Sequence, residues 1–347
     1  MRTTIRRYAS VSFVLLLLGT AASAEGQTCV APPAGIVGWW SGNGTPNDLI
    51  AGNNGQLVGG AGFAPAVVAQ GFSLDGVDDF VQIPDAPSLK PAQMSVEAWV
   101  RFDSLDTPIV SQFGAPGLQY VLFKKNSRTF NFEAYALRKQ RDGGVDRFAF
   151  SVADNNGEGG TSVAYSTSPV FIGRFYHVVG TYDGTHVRLY VDGALEGESP
   201  VSVTVDYGDR PVFIGTSGET VFDGKLNGIV DEASIYNRAL DESEIGALEA
   251  AGTAGKCASA TGLLTSLATF VQALNLSNGV SNSLDVKLQN TLQALDAANE
   301  GDVPSACNRI GAFLREVSAQ SGKALTLPQA AHLTATASQA RVALGCK

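Results

Sequence analysis

The sequence predicts a mainly β domain, built as a β-sandwich and followed by a small all-α helical bundle. Turn signals of the Asn-Gly and Asp-Gly type recur between short β-rich segments as far as about residue 255. Beyond about residue 261 aromatic residues become rare, and apolar residues recur with the spacing of a helix. Residues 94–102 alternate strictly between two faces, one of which carries Met94, Val96, Ala98, Val100 and Phe102.

The first 24 residues have the pattern of a signal peptide. Arg2, Arg6 and Arg7 precede the apolar run 11–18, and Ala22-Ser23-Ala24 is the small-residue sequence that a signal peptidase accepts. This run is too short to span a bilayer, and no other stretch approaches the roughly 20 apolar residues that a spanning helix needs. We therefore expect cleavage after Ala24 and a protein that is secreted, or held in the periplasm or cell envelope, without a transmembrane segment.

The chain is acidic, with a formal net charge of −9. Because the first 24 residues carry three Arg and no acid, the remainder has a net charge of −12. Nucleic acid and anionic membranes repel such a protein, so we expect neither as a partner.

Four cysteines are present, and none lies in a Cys-x-x-Cys pair, so neither a zinc site nor a thioredoxin-type motif is indicated. Three pairings are formally open. Because the ends of a domain commonly lie close together, we favour Cys29 with Cys257 around the sandwich and Cys307 with Cys346 inside the bundle. Such disulfides are typical of exported proteins.

Residues 175–194 form the clearest hairpin. Two turn signals, Asp183-Gly184 and Asp192-Gly193, separate β-rich runs and predict three antiparallel strands. The first pair is expected to supply the two central residues of its turn. Val187, Leu189 and Val191 then share one face.

Three segments resemble, in order, the signatures of laminin G-like domains. They are "LDGVDDFVQIP" with "SVEAWV" in residues 74–100, "YHVVGTYDGTHVRLYVDG" in residues 176–193, and "FDGKLNGIVDEASIYNRAL" in residues 222–240. The resemblance implies a concanavalin A-like jelly-roll β-sandwich over residues 29–257. Sandwiches of this kind usually bind glycans or protein surfaces rather than catalyse. A short helix should follow the last strand, with Asp241 as its N-cap and Glu244 completing a capping box.

The resemblance also implies a calcium site. In it Asp48, from the loop 47–55, would join Asp231 of the closing strand, because calcium prefers carboxylate and carbonyl oxygens. The alternative is that Asp48 and its Asn neighbours cap turns and that Asp231 is an ordinary strand residue. The sequence favours neither. We interpret the acids at 75, 78 and 79 as turn residues.

The sequence does not indicate catalysis. A retaining glycosidase needs two carboxyl groups about 5 Å apart, and the Glu-x-Asp-x-x-Glu pattern of glycosidases with this sandwich is absent. His177, His186 and His332 have no Ser or Cys nucleophile motif beside them. We therefore expect a non-catalytic protein that recognises glycan or extracellular protein surfaces, with no assignable ligand-binding residue. The alternatives are an accessory or degenerate polysaccharide hydrolase, or a structural or adhesive envelope component.

Residues 258–347 predict four amphipathic helices. Pro304 suits the first turn of the third, and Thr326 with Gln329 forms a capping box at the start of the fourth. The segment resembles the FIMAH module of exported bacterial proteins in "GVSNSLDVKLQNTL", "ACNRIGAFLREVSAQSGKALT" and "QAAHL". The inward stripes of the first two helices are Leu263, Leu264, Leu267, Phe270, Val271 and Leu274, then Leu284, Leu288, Leu292 and Leu295. Those of the last two are Cys307, Ile310, Phe313, Leu314 and Val317, then Leu333, Ala337, Ala340 and Leu344.

Overall fold

The computed structural model describes residues 29–108, 115–127, 133–153, 161–219, 222–274, 276–296 and 302–346. The predicted signal peptide, residues 1–24, lies outside them. Within the described residues the chain forms fifteen β-strands followed by five α-helices. None of the helices in this part of the chain combines the length and the apolar character needed to cross a membrane.

The strands are, in chain order, β1 (Ile36–Trp40), β2 (Gln56–Val58), β3 (Gly62–Pro65), β4 (Gln70–Asp75), β5 (Phe80–Ile83), β6 (Met94–Phe102), β7 (Gln119–Lys125), β8 (Glu133–Asp142), β9 (Val145–Ala153), β10 (Thr161–Tyr165), β11 (Phe175–Tyr182), β12 (His186–Val191), β13 (Ala194–Pro200), β14 (Val212–Ile214) and β15 (Asn227–Tyr236). The helices are α1 (Glu242–Ala251), α2 (Ala260–Ala273), α3 (Asn278–Asp296), α4 (Val303–Gln320) and α5 (Leu327–Ala343).

The strands form two antiparallel sheets that pack face to face. The eight-stranded sheet has the order β13-β12-β11-β6-β15-β4-β3, with β1 also paired to β15. The seven-stranded sheet has the order β10-β9-β8-β7-β14-β5-β2. Strands distant in sequence are neighbours in both sheets, as in β6 beside β15, and such crossovers are typical of a jelly roll. The predicted fold class is confirmed.

The core lies between the sheets and follows the alternation of the strands. The predicted inward residues of β6 are all fully buried in this core, and Val187, Leu189 and Val191 join them from β12. Trp40 also lies in the core, whereas its neighbour Trp39 faces the opposite side of the eight-stranded sheet.

The two predicted turns of the 175–194 hairpins differ in detail. Asp192 and Gly193 both have positive φ, 49° and 78°, and form the expected two-residue turn. The first turn is shifted by one residue. The Asp183 N–H donates to the His186 carbonyl, so Gly184 and Thr185 are its central residues, with φ 93° at Gly184. The Asp183 carboxylate accepts the N–H groups of residues 185 and 186 and stabilises this turn.

The helices α2 to α5 enclose a separate apolar core that contains the predicted stripes, with Leu264, Ile310, Phe313 and Leu333 fully buried. Both predicted capping boxes form, at Asp241 before α1 and at Thr326 before α5. The disulfides Cys29–Cys257 and Cys307–Cys346 confirm the expected pairing.

The bundle contacts the sandwich directly. The Thr45 and Ser266 hydroxyls lie 3.2 Å apart. The His332 ring of α5 packs against Gly44, where an added Cβ would come within 2.7 Å of it. Gly44 has φ 72°, so both its conformation and this close approach favour glycine.

Candidate functional site

A cluster of buried charged side chains lies on the outer face of the eight-stranded sheet. Its centre is Glu97 of β6. The Lys256 Nζ lies 3.1 Å from Glu97 Oε1 and 3.2 Å from Glu232 Oε2. The Tyr236 hydroxyl donates to Glu97 Oε2 at 2.7 Å, and His177 Nε2 lies 3.2 Å from Glu97 Oε1. All five side chains are buried.

Neighbouring strands place these groups together. His177 of β11 and Glu97 of β6 lie in paired strands, with β15 on the other side of β6. Lys256 comes from the segment that joins α1 to the bundle, which is anchored by the disulfide of Cys257. The Lys256 ammonium also lies 5.2 Å from the centre of the Trp39 ring, a cation–π contact.

A β-bulge in β15 brings two acids to this face. The register shifts between Asp231 and Ser234, and Glu232 has φ 57°. Val230 and Ala233 both belong to the core. Without the extra residue, strict alternation would turn Glu232 towards the core. The left-handed conformation of this non-glycine residue costs of order 1–3 kcal/mol, which the surrounding contacts must offset.

The pKa values of the acids in this cluster are displaced in two directions. Burial opposes the ionisation of Glu97, but Lys256, followed by His177 and Tyr236, lowers its pKa to about 2. Burial likewise opposes the charge on Lys256, but Glu97 and Glu232 raise its pKa. Glu97 and Lys256 therefore form an ionised pair.

The two acids of the bulge behave in the opposite way. Burial and then the neighbouring Glu232 raise the pKa of Asp231 well above its ordinary value. Burial also raises the pKa of Glu232, although Lys256 acts against it and the Trp39 N–H contributes a weaker lowering. The bulge thus places the carboxyl groups of Asp231 and Glu232 close together in a buried position, where ionisation of both is unfavourable.

This geometry suits a structural role rather than chemistry on a substrate. It attaches the segment that joins α1 and the bundle to the eight-stranded sheet. Glu97 and Glu232 have their pKa values displaced in opposite directions, as an acid and a nucleophile would. However, both contact the same Lys256 ammonium, and Glu97 is only 1% exposed. The ammonium therefore holds the joining segment on the sheet.

The predicted calcium ligand Asp48 has its oxygens committed to its own loop. Oδ1 accepts the N–H groups of Trp39 and Ile50 at 2.9 and 3.0 Å. Oδ2 accepts those of Ala51 and Asn53 at 3.1 and 3.0 Å, and the Asn53 side-chain amide at 3.2 Å. Five donors occupy the lone pairs of one carboxylate, so Asp48 fits the turn-capping alternative and not a calcium ligand.

Asp231, the second predicted ligand, keeps one oxygen free. Its Oδ2 accepts the Val68 N–H at 2.8 Å. Its Oδ1 is buried and has no hydrogen-bond partner among the described residues. This oxygen is one of the six to eight that calcium takes, so of the two predicted ligands only Asp231 has an oxygen left for a cation.

The acids at 75, 78 and 79 lie together in the turn between β4 and β5. Their ligand atoms are within 4.8 Å of one another. Asp75 accepts the Val77 N–H at 2.8 Å, and Asp79 accepts the Asp75 N–H at 3.1 Å. These bonds support the interpretation as turn residues.

An open groove of about 570 Å³ lies on the outer side of the seven-stranded sheet, near β2 and β5. The half-buried Phe80 ring meets Phe213 at 5.9 Å, and the Lys225 ammonium lies 4.8 Å from the Phe80 centroid. Lys225 also pairs with Asp223 at 2.9 Å. The groove is lined by Val58, Val77, Asp78, Phe80, Asp223 and Lys225, among others.

This groove is absent from the sequence predictions, although one signal for it is present in the sequence. In β5, Val81 and Ile83 are fully buried in the core, so alternation turns Phe80 outward. An aromatic residue on the outward side of an alternating strand was the signal.

Known proteins that resemble this chain share its β-sandwich fold. Residues 75–246 match the model of the laminin G family described as the concanavalin A-like lectin/glucanases superfamily. No curated protein matches the sequence significantly.

Several solved structures are similar to the chain. Domain 4 of the extracellular arabinanase AbnA from Geobacillus stearothermophilus, in complex with arabinotriose, is 18% identical, with a TM-score of 0.47 over 61% of this chain and 96% of that one. The binding domain of Paraclostridial Mosquitocidal Protein 1 is 16% identical, with a TM-score of 0.46, and the match covers 62% of this chain and 52% of that one. Trypanosoma rangeli sialidase is 21% identical, with a TM-score of 0.44, and the match covers 63% of this chain and 33% of that one.

The family match covers two of the three laminin G-like signatures completely and nearly all of the first, and it runs from the end of β4 into α1. The likeness of the helical segment to FIMAH modules stays a prediction. The β-sandwich of this chain is a laminin G-like domain of the concanavalin A-like lectin/glucanases superfamily.

Proposed function

We propose that the protein is an exported, non-catalytic recognition protein whose sandwich binds a glycan in the groove beside Phe80. The observation that carries this proposal is a half-buried aromatic ring that lines an open groove, next to exposed and paired charges. A sugar ring offers an apolar face and several hydroxyl groups. Phe80 matches the first, and Asp78, Asp223 and Lys225 offer acceptors and donors for the second.

Two further observations support the proposal. Glu97 and Glu232 are buried and held by Lys256, which leaves them unsuited to attack a polysaccharide. Two disulfides and a laminin G-like domain are typical of proteins in oxidising compartments outside the cytosol. The signal-peptide pattern of residues 1–24 agrees with this location.

The groove is tested with the protein lacking residues 1–24, on a glycan array and then by calorimetric titration of the best ligand. We expect Phe80→Ala to weaken binding at least about tenfold, the effect of losing about 1.4 kcal/mol. Asp78→Asn should also weaken binding, and because Asp78 is exposed this variant should fold normally.

Phe171→Ala is the matched control, since Phe171 is 60% exposed and does not line the groove. Its affinity should equal that of the parent. Binding to a protein surface without any glycan affinity would contradict the proposal. So would equal losses in the Phe80 and Phe171 variants, or release of reducing ends from a polysaccharide panel.

We also propose that calcium assists the sandwich at Asp231, because the free Oδ1 is buried beside a second acid. Calcium supplies positive charge that offsets the repulsion between these carboxyl groups. Binding only to the folded state should raise the melting temperature with calcium concentration, through a free energy of RT ln(1 + [L]/Kd). Differential scanning calorimetry in EDTA and in millimolar calcium measures this.

Asp231→Asn keeps an acceptor for the Val68 N–H and should abolish the calcium effect. Asp79→Asn, in the turn before β5, should leave it intact. Identical melts of the parent protein in EDTA and calcium would show that Asp231 binds no calcium.

A further inference from the structure

The groove beside Phe80 is lined by more acids than bases. Its charged residues, among those that the structure describes, are the acids Asp78, Glu219 and Asp223 and the base Lys225. The Lys225 ammonium is already engaged, because it lies 2.9 Å from Asp223 Oδ2 and 4.8 Å from the centre of the Phe80 ring. Both side chains of this ion pair are 12% exposed, so the two charges largely offset each other. The groove therefore presents an excess of negative charge to a ligand.

The unpaired charge of the groove is the carboxylate of Asp78. Glu219 is paired with the Lys125 ammonium at 2.7 Å. Asp78 is exposed, and its carboxylate has neither a hydrogen bond nor an ion pair with any residue that the structure describes. One of its oxygens lies within 4.8 Å of carboxylate oxygens of Asp75 and Asp79, which accept only backbone N–H groups. These neighbours make a positive group at Asp78 more favourable.

We propose, on the basis of the glycan site inferred above, that this groove selects a glycan with free amino groups, which are positively charged at neutral pH. Asp78 and Phe80 are two residues apart and line the same groove. An ammonium group of the sugar pairs with Asp78, while the apolar face of the sugar ring packs on Phe80. A glycan with carboxylate or sulfate groups is repelled by Asp78, and a neutral glycan gains only hydrogen bonds from it.

Four small ligands separate the effect of the charge from that of the sugar. Cellotetraose, N-acetylchitotetraose and the tetramer of β-1,4-linked glucosamine have the same length and linkage, and differ only in the hydroxyl, acetamide or ammonium group at C2. Tetralysine carries four side-chain ammonium groups without a sugar ring, and its flexible side chains lose more conformational entropy on binding. Calorimetric titration of the protein lacking residues 1–24 gives the four affinities. We expect the glucosamine tetramer to bind at least about tenfold more tightly than the other three.

Asp78→Asn removes the charge and keeps an acceptor oxygen. The advantage of the glucosamine tetramer over cellotetraose should then fall to about twofold or less. Asp142→Asn is the matched control, because Asp142 is exposed, does not line the groove and changes the net charge by the same amount. This variant should keep the full advantage. Added salt should weaken binding of the glucosamine tetramer more than that of cellotetraose, because salt screens an exposed ion pair.

The outcomes distinguish the selection for amino groups from the glycan site itself. If no glycan on the array and none of the four ligands binds, the glycan site is wrong and the selection is wrong with it. If a neutral or acidic glycan binds and depends on Phe80, but the glucosamine tetramer binds no more tightly than cellotetraose, only the selection is overturned. Equal affinities of tetralysine and the glucosamine tetramer, or equal effects of the Asp78 and Asp142 variants, would also overturn the selection, because they would show general attraction of cations to an acidic protein.

Discussion

Replacing Lys256 with Met should destabilise the protein by about 3–5 kcal/mol, the usual cost of removing one partner of a buried ion pair. The reason is that Glu97 and Glu232 both contact the Lys256 ammonium and are buried beside it. Without the ammonium, at least one carboxylate must take up a proton or lose its burial. Urea denaturation followed by tryptophan fluorescence measures the change.

Lys323→Met is the control, because Lys323 is exposed and should change stability by less than about 0.5 kcal/mol. Adding Glu97→Gln to the Lys256 variant should recover part of the loss, since the uncompensated charge is then removed. A Lys256→Met protein as stable as the parent would show that the cluster does not hold the joining segment.

The same pair predicts a dependence on pH. The pKa of Glu97 falls from its ordinary 4.5 to about 2 in the folded protein. Its contribution is therefore complete above about pH 4.5 and is lost as the pH falls towards 2. The Lys256→Met variant should lose less stability than the parent across this interval.

Replacing Cys307 and Cys346 together with Ser should strongly destabilise the bundle. The disulfide spans 39 residues, and loop closure of that length is worth about 4 kcal/mol as an upper figure. The core of the four helices is small, so the disulfide should contribute a large part of the stability of the bundle. We expect the helical circular dichroism signal at 222 nm to melt at a much lower temperature than in the parent.

The double Ser variant of Cys29 and Cys257 is the comparison. That disulfide joins the ends of the sandwich, so its loss should change the β-sheet transition more than the helical one. Equal helical melts in the parent and in the Cys307 and Cys346 variant would show that the bundle core suffices without its disulfide.

The sequence by itself determined the features that depend on local or periodic rules. The alternation of residues 94–102 identified the core face of β6, because side chains of a strand point to opposite sides in turn. The capping boxes at Asp241 and Thr326 followed from hydrogen bonds that span three residues. The disulfide pairing followed from the proximity of domain ends.

Only the tertiary structure decided the chemistry of the outer face of the eight-stranded sheet. Alternation placed Glu97 on the outward side, where solvent is the usual surrounding, yet Lys256, 159 residues away, covers and neutralises it. The bulge at Glu232 depends on the pairing of β15 with β6, which no local pattern in the sequence encodes.

The two predicted calcium ligands show the same division. Asp48 and Asp231 are both acids in suitable positions along the chain, but only the folded loop shows that backbone donors occupy Asp48 while Asp231 keeps a free oxygen. A cavity of about 780 Å³, lined by residues of both modules such as Leu49 and Leu263, likewise exists because two modules with separate cores meet there. The spacing of apolar residues shows which face of a helix or strand is buried. The partner of a buried charge depends instead on contacts between residues far apart in the chain.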